Sequence, residues 1–549
     1  MSRSFRLLLN LLLAGAAAAP AFGALPIPAS LRERYRGPVV RVREVEGITE
    51  HVQDGKLSLR FKDFVVLVLK NSTDIHLTRL DVLTAADAVV GARSPFDPFL
   101  RLNWQTQRNQ QPQFAQTAGA ETLSTLSHDA QFGYNQALST GQTVGLNFSS
   151  SRSSSNSAFN FFNPSIYSGL GFSITQPLLA NRSNMQARTA LKIAKTQLLI
   201  ATDQSETRIA DFVQQAAGQY WDAAQARDNI RVAQLSVDLA QKSYDRDKMA
   251  LDLGALSKLD IFQSQSQVAQ RKVDLIRAQY AYREALDGLR RLIGADLNPA
   301  TRNIEIVLDD DPSSLPVFPV EAVDAAIQGA LEHRPEMKTA QRRYAIDDMT
   351  AKVARNSMLP RLDFGLQAGG SGLGGNQIPV SGPLGIGPSA FIPGGLGDAL
   401  SQMFRFQAPY YGFSIQMTLP VRSSQAQASL ADSLVNRARD QYQRRRLEQQ
   451  VIQEVKQATN EIEMASAQID AAKTARDLAR KNVDAQQQRY EIGGITPFEL
   501  LDAQNRLATV EGSLVAAYAN YQKALVSYKR ATWTLLDGMG VIVEAPAVK

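Results

Sequence analysis

The stretch YEIGGITPFELLDA, from Tyr490 to Ala503, separates a very long polar segment from a shorter one. Residues 422–489, which precede it, contain neither proline nor glycine, so no residue there interrupts a helix. After the glycine pair, Thr496 is a favourable N-cap and Pro497 a favourable first-turn residue. The stretch therefore predicts a bend between two helices.

The long segment carries a heptad pattern. Small or apolar residues recur at alternating spacings of four and three, at Val451, Val455, Ala458, Ile462, Ala465, Ile469 and Ala472. Such a seam is buried against a neighbouring helix. At about 1.5 Å per residue the helix extends about 100 Å, which is longer than a single globular core.

The bend occurs a second time in the chain. A shift of 239 residues aligns 253–269 with 492–508, and a shift of 262 residues aligns 68–75 with 330–337. We infer one duplicated unit whose two copies have loops of unequal length.

Between the helical segments the apolar residues alternate with period two. The alternation is clearest in 99–105, 130–134, 142–149, 165–178, 362–368 and 411–419. It predicts strands with one apolar and one polar face, which suit a membrane barrel; a soluble sheet with one buried face is the alternative.

The number of strands is left open by the sequence. The serine run 149–157 and the glycine-rich segment 369–397 are predicted loops. Residues 130–138 and 142–150 form either an additional hairpin, giving six strands per chain, or part of a loop, leaving four.

Four shorter helices are predicted to return along two long ones, 185–252 and 422–489. We expect the shorter helices in two end-to-end pairs, 257–293 with 321–356 and 496–536 with 62–93. The links 38–60, 294–320 and 537–549 are expected to meet at one level as a belt.

The predicted organisation begins with a signal peptide that directs export, because Arg3 and Arg6 precede an apolar run and small residues. In chain order, it is a signal peptide (1–23), a belt segment (24–61), a helix of the first repeat (62–97), membrane strands and loops (98–180), a helical hairpin (181–293), an equatorial link (294–320), a helix of the second repeat (321–359), membrane strands with a glycine-rich loop (360–420), a second helical hairpin (421–536) and a tail (537–549).

Composition excludes several classes of chemistry. The 549 residues include no cysteine, which excludes disulfides, haem attachment and thiol catalysis. The four histidines lack metal-ligand spacing, and the glycines open no phosphate-binding helix. The formal charge of +6 is too small for this length to indicate nucleic acid. We predict no enzyme activity, cofactor or metal.

The order of these elements, the two bends, and Gln176-Pro177-Leu178 before the first long helix resemble the TolC family of outer-membrane efflux proteins. The resemblance covers nearly the whole chain after the leader. It implies a mostly α fold with membrane β: a trimeric outer-membrane β-barrel continued by a periplasmic α-helical coiled-coil barrel.

The resemblance also implies a function. The homotrimer would be the exit duct of a tripartite efflux or type I secretion system in the cell outer membrane, with a large periplasmic portion. Its partners would be a periplasmic adaptor protein, an inner-membrane pump indirectly, and outer-membrane lipid. The alternative is an elongated periplasmic coiled-coil structural or adhesin protein without a channel, which the period-two strands disfavour.

Two sets of site residues follow from the resemblance. The periplasmic mouth or gate is expected at Asp260, Tyr490, Glu499 and Asp502. The adaptor is expected to dock at the bends, on Gly254, Ala255, Leu256, Ser257, Gly493, Gly494, Ile495 and Thr496. Ile495 stands where the family can place a basic latch, so we expect packing to hold the closed state; Lys258 is a possible substitute for the latch.

Overall fold

The computed structural model describes residues 42, 44–53, 55–114, 120–157, 159–254, 257–314, 321–378, 392–492 and 494–536. The chain divides into two compact units, residues 1–46 and residues 47–549. Of the first unit, residues 42 and 44–46 are described, and they contain no helix or strand. The predicted signal peptide and tail lie outside the described residues. Every element below belongs to the second unit.

The second unit is mostly helical and also contains strands. Its helices are α1 (Phe61–Asn71), α2 (Thr73–Gly91), α3 (Met185–Asp252), α4 (Lys258–Leu292), α5 (Val323–His333), α6 (Pro335–Ser357), α7 (Leu396–Phe404), α8 (Ser424–Glu491) and α9 (Pro497–Ala531). Its strands are β1 (Val52–Gln53), β2 (Lys56–Leu59), β3 (Phe99–Pro112), β4 (Thr122–Ala137), β5 (Thr143–Ser155), β6 (Phe162–Pro177), β7 (Glu305–Leu308), β8 (Arg361–Gln377) and β9 (Ala408–Thr418). Of the helices that the structure describes, none has the length and apolar character needed to cross a membrane.

The long helices α3 and α8 have 68 residues each, as the sequence predicts. The heptad seam of α8 is buried from Val451 to Ile469, against α9 and α5, and Ala472 is partly buried there. The aligned stretches 68–75 and 330–337 both contain a helix break, because α1 ends at Asn71 before α2 and α5 ends at His333 before α6.

The shorter helices are paired end to end differently from the prediction. Both α9 and α6 pack between α3 and α8, whereas α2 and α4 pack along α3. Arg334, just before α6, donates from Nε to the carbonyl oxygen of Ala531, the last residue of α9, at 2.9 Å. Residues 72–78 and 291–297 line one cleft, which brings the start of α2 to the end of α4. The predicted pairs are therefore wrong: α9 continues into α6, and α4 into α2.

Six strands form one antiparallel sheet in the order β3-β4-β5-β6-β8-β9. The hairpin β4–β5 belongs to this sheet, with Phe132 opposite Phe148. The two predicted loops are wrong in part. Residues 149–155 pair within β5, because short serine side chains fit a strand as well as a loop. Residues 369–377 pair within β8, where glycines admit the helix α7 against the sheet.

The two faces of this sheet differ in polarity. On what we call the apolar face, one row crosses all six strands through Leu100, Tyr134, Leu146, Phe172, Ala368 and Tyr411, and the next contains Leu102, Phe132, Phe148, Leu170 and Gly370. On the polar face, the corresponding row contains Asn103, Gln131, Ser149, Gly169, Ser371 and Ala408.

A separate small sheet has the order β1-β2-β7. The parallel pairing of β2 with β7 brings two of the three predicted belt segments together, and the third, 537–549, lies outside the described residues. Tyr220 of α3 donates its hydroxyl to the Leu59 carbonyl at 3.1 Å and to Asp310 Oδ2 at 2.8 Å. These bonds attach the small sheet to the middle of α3.

Candidate functional site

The first bend follows α3 and contains a glycine in the left-handed backbone conformation. Leu253 donates its amide to the Met249 carbonyl, and Gly254 donates to the Leu251 carbonyl. Gly254 has a φ of 76°, which a residue with a Cβ rarely adopts. The predicted docking residues Ala255 and Leu256 lie outside the described residues, and Ser257 directly precedes α4.

The second bend joins α8 to α9. Gly494 donates its amide to the Arg489 carbonyl at 2.8 Å, which closes the end of α8. Thr496 has the extended backbone of an N-cap and Pro497 begins α9, as predicted, but the Thr496 side chain makes no capping bond. Ile495 is half-buried. Gly493 lies outside the described residues.

One buried carboxylate connects the two helical hairpins near these bends. Asp247 of α3 is 2% exposed, and its Oδ1 accepts the Tyr490 hydroxyl of α8 at 2.8 Å. Its other oxygen accepts the Ser264 hydroxyl of α4. A buried carboxylate is costly unless its oxygens are hydrogen-bonded, so these two donors make the position tolerable.

Two further contacts join the same hairpins. The Arg246 guanidinium lies 4.4 Å from the centre of the Tyr490 ring, a cation–π distance. Gln504 of α9 donates to the Ser243 hydroxyl of α3 at 3.2 Å. Asn505 of α9 also accepts hydrogen bonds from Gln267 and Arg271 of α4, so several polar contacts join α3–α4 to α8–α9 near the bends, in addition to the packing of α9 on α3.

The predicted mouth residues do not all join this cluster. Tyr490 lies at its centre. Glu499 is exposed on the first turn of α9, and half-buried Asp502 forms an ion pair with Arg506 Nε at 2.9 Å. For Asp260, only its backbone place in the first turn of α4 is described.

Asp247, Arg246 and Ser264 are not among the residues predicted from the sequence. A signal for Asp247 does exist, because α3 buries Val237, Ala240, Ser243 and Asp247 at helical spacing. A carboxylate on a seam otherwise occupied by small or apolar residues indicates a specific partner.

Long polar helices that join a sheet with an apolar and a polar face define an outer-membrane channel fold. The sequence profile of the family described as "Outer membrane efflux protein" matches residues 127–295 and 326–532, and the chain belongs to this family. The predicted resemblance to TolC-type channels is thereby confirmed. Family membership assigns the protein to the outer membrane, with a periplasmic portion, and to transport.

Individual proteins show how far the similarity extends. Protein CyaE of Bordetella pertussis is 27% identical over 177 residues, which cover 32% of this chain and 36% of CyaE, so the match spans about a third of this curated relative. The CmeC outer membrane channel of Campylobacter jejuni has a TM-score of 0.60 at 14% identity, covering 91% of this chain and 94% of CmeC. The open-state MtrE outer membrane channel of Neisseria gonorrhoeae has a TM-score of 0.56 at 16% identity, covering 87% of this chain and 89% of MtrE.

Proposed function

We propose that three copies of this chain form the exit duct through which an efflux or secretion system releases its substrate across the outer membrane. The observation that carries the proposal is the six-stranded sheet with one apolar and one polar face. Lipid can wet the first face and water the second. The same sheet leads into α3 and α8, each about 100 Å long, and helices of this length suit a conduit through the periplasm.

The edges of the sheet support assembly into a closed barrel. β3 and β9 are the outer strands of the sheet, and among the described residues neither has a second partner strand. Unpaired edges are unfavourable in lipid, so each edge requires a strand from another copy. Three copies then give an eighteen-stranded barrel rather than the twelve strands of a four-stranded chain.

The widths of such a barrel and of the helical tunnel agree. At about 4.8 Å between strands and a tilt of about 40°, eighteen strands enclose a cylinder about 36 Å across, against about 24 Å for twelve. Each chain contributes four helical lines, namely α3, α8, α9 with α6, and α4 with α2. Twelve lines about 9.5 Å apart also enclose about 36 Å.

The polar face favours passage without selection by charge. Its charged residues within the strands are Arg101, Asp129, Arg361 and Asp363, which sum to zero, and the last two form an ion pair at 2.7 Å. Most of the remaining lining is Ser, Gly, Asn, Gln and Thr. We infer that the duct is passive, and that an inner-membrane pump and a periplasmic adaptor select and deliver the substrate.

We further infer that the bends are the closed mouth and the adaptor-docking tips. The contact of Asp247 with Tyr490 would hold α3–α4 against α8–α9, and an adaptor at the bends would separate them. The closed state then depends on a hydrogen bond to a buried carboxylate as well as on packing around Ile495. Glycines at both bends allow the backbone to adjust.

Reconstitution into planar bilayers tests the duct. We expect a water-filled conductance from the full chain, and a smaller one after removal of residues 120–157, because deletion of the hairpin β4–β5 leaves a twelve-stranded barrel. Absence of any conductance from inserted protein, including a Tyr490→Phe variant that lacks the closing hydrogen bond, would overturn the duct. An unchanged conductance after the deletion would overturn the eighteen-stranded barrel alone.

A further inference from the structure

We propose that basic side chains on the apolar face of the sheet bind phosphate groups of outer-leaflet lipids; the proposal rests on the barrel proposed above. The patch consists of Arg108, His128 and Arg152, on the adjacent strands β3, β4 and β5. Each of these side chains lies on the face that turns toward lipid in the barrel. We call these three residues the basic patch.

The strand register brings the three side chains together. His128 pairs directly with Arg152 across β4 and β5, and Arg108 pairs with Leu126, two residues from His128 along β4. Directly paired residues have Cβ atoms about 5 Å apart, and diagonal neighbours lie about 7–8 Å apart. All three side chains can therefore reach one phosphate group or two adjacent ones.

The charges of the patch are available for a ligand. Arg108 and Arg152 are exposed, and neither forms an ion pair within the part of the chain that the structure describes. Arg108 Nε donates to the Ser124 hydroxyl at 3.1 Å, which orients the guanidinium and leaves its terminal nitrogens available. His128 Nδ1 lies 3.0 Å from the Thr106 hydroxyl. Guanidinium groups match phosphate oxygens in pairs of parallel hydrogen bonds.

The height of the patch matches that of lipid headgroups. On β8 the apolar rows run from Leu362 to Gly372, eleven residues whose ten steps rise about 25 Å in a tilted strand, the thickness of the apolar band of a membrane barrel. The row of His128 and Arg152 comes directly above this band. It also contains Gly374, which the register places two strands from Arg152.

Helix α7 marks the same boundary. It lies on the glycines of β8 on the apolar face, where a Cβ on Gly372 would meet the Ala399 carbonyl oxygen at 2.0 Å. Phe404 and Phe406, at its end, are 62% and 53% exposed. Aromatic side chains concentrate at the level where hydrocarbon meets headgroups. The one acid of α7, Asp398, accepts the Gly395 amide at 2.8 Å and caps the helix.

Native mass spectrometry of the full-length protein in detergent tests the patch, with bisphosphorylated lipid A and its dephosphorylated form as probes. We expect the wild type to retain the phosphorylated lipid about 30-fold more strongly than the double variant Arg108→Gln/Arg152→Gln, at about fivefold for each arginine. Arg152→Gln alone should lose about fivefold. Arg101→Gln is the matched control, because Arg101 lies on β3 but on the polar face.

Equal retention by the wild type and the double variant, when the bilayer conductance of both is intact, would overturn the patch and leave the duct unaffected. Displacement of the lipid by millimolar inorganic phosphate would show that the site takes free phosphate, which also overturns the lipid assignment. Loss of conductance in the wild type itself would instead be a failure of the proposed duct.

Discussion

At the scale of single residues, Asp247 of α3 is central, because its carboxylate contacts two other helices, α4 and α8, near the bends. Ser264 and Tyr490 each donate one hydrogen bond to it. A hydrogen bond to a charged group contributes about 1.5–3 kcal/mol. Removal of the Tyr490 donor, which lies in the other hairpin, should therefore change the balance between closed and open mouths by more than tenfold.

Tyr490→Phe removes the hydroxyl and keeps the ring beneath Arg246. We expect this variant to raise the open probability of the channel in bilayer recordings by about tenfold or more, because Asp247 loses one of its two donors. Tyr442→Phe is the control, since Tyr442 lies on the same helix and is 70% exposed. An open probability equal to that of the wild type would show that the contact does not hold the mouth closed.

The acids at the bend differ in how much charge they present. Asp502 is already paired with Arg506, whereas Glu499 is exposed and forms no ion pair among the described residues. If both acids surround the mouth, divalent cations should block the current. We expect Glu499→Gln to weaken that block more than Asp502→Asn. Unchanged block in the Glu499→Ala/Asp502→Ala double variant would show that these acids lie on an outer surface.

Asp347 on α6 gives the helical part a pH dependence. Desolvation and the nearby Asp440 carboxylate raise the pKa of Asp347 to about 6, against the lowering effect of Arg437. Between about pH 4 and 6, Asp347 holds a proton in the folded protein and releases it in the unfolded chain. The contribution of Asp347 to stability is therefore greatest at low pH and falls as the pH rises through about 6.

We expect Asp347→Asn to raise the melting temperature at pH 8 and to leave it nearly unchanged at pH 4. The neighbouring Asp348→Asn is the control with the opposite sign, because the hydrogen bond from Lys352 lowers the pKa of Asp348. The stabilising effect of the ionised Asp348 carboxylate is present at pH 8 and is lost at low pH. A melting temperature of Asp347→Asn that parallels the wild type at every pH would contradict the account.

At the scale of helices, the sequence predicts lengths and breaks well and neighbours less well. The absence of proline and glycine predicts the extent of α8, α3 likewise contains no proline, and the heptad seam predicts the buried face of α8. The serial order of the short helices was predicted wrongly because α4 and α9 have 35 residues each, and α2 and α6 have 19 and 23, so length is compatible with either pairing. The deciding contact, Arg334 with Ala531, joins residues 197 positions apart and has no local signal.

For the strands and the candidate site, too, the sequence predicts some features and not others. Alternation predicts the apolar face, and the possible hairpin of 130–150 is present. Serine and glycine are common in loops, so runs of these residues concealed the ends of β5 and β8. Within the site, the family resemblance selects Tyr490, which contacts Asp247 in the structure, whereas Asp247 becomes visible only when the seam of α3 is followed residue by residue.

Arg334 stabilises the junction between α9 and α6. It is 1% exposed, donates twice to the Ala531 carbonyl and pairs with Glu454 at 2.6 Å. We expect Arg334→Met to destabilise the protein by about 2–3 kcal/mol in thermal or denaturant unfolding, because it leaves the carbonyl of buried Ala531 without its two donors. Arg444→Met is the control, since its exposed pair with Glu448 should contribute less than about 1 kcal/mol. Similar losses for both variants would contradict a special role of the junction.

At the scale of the whole molecule, two features of one chain support the proposed trimer. Among the described residues, the outer strands β3 and β9 have no partner strand on one side, and apolar side chains such as Ile276, Tyr280 and Met464 are exposed on α4 and α8. The proposed trimer would cover both. The extra hairpin β4–β5 would then widen the barrel to the diameter of the tunnel, so the duct would have no constriction where strands meet helices.

The most direct test of this account is single-particle electron microscopy of the full-length protein in lipid nanodiscs. The account predicts a three-fold particle in which eighteen strands form one continuous barrel, with β3 of each copy paired to β9 of the next, above a ring of twelve helical lines. A particle whose strands close within a single chain, or in which β3 and β9 remain unpaired, would contradict it.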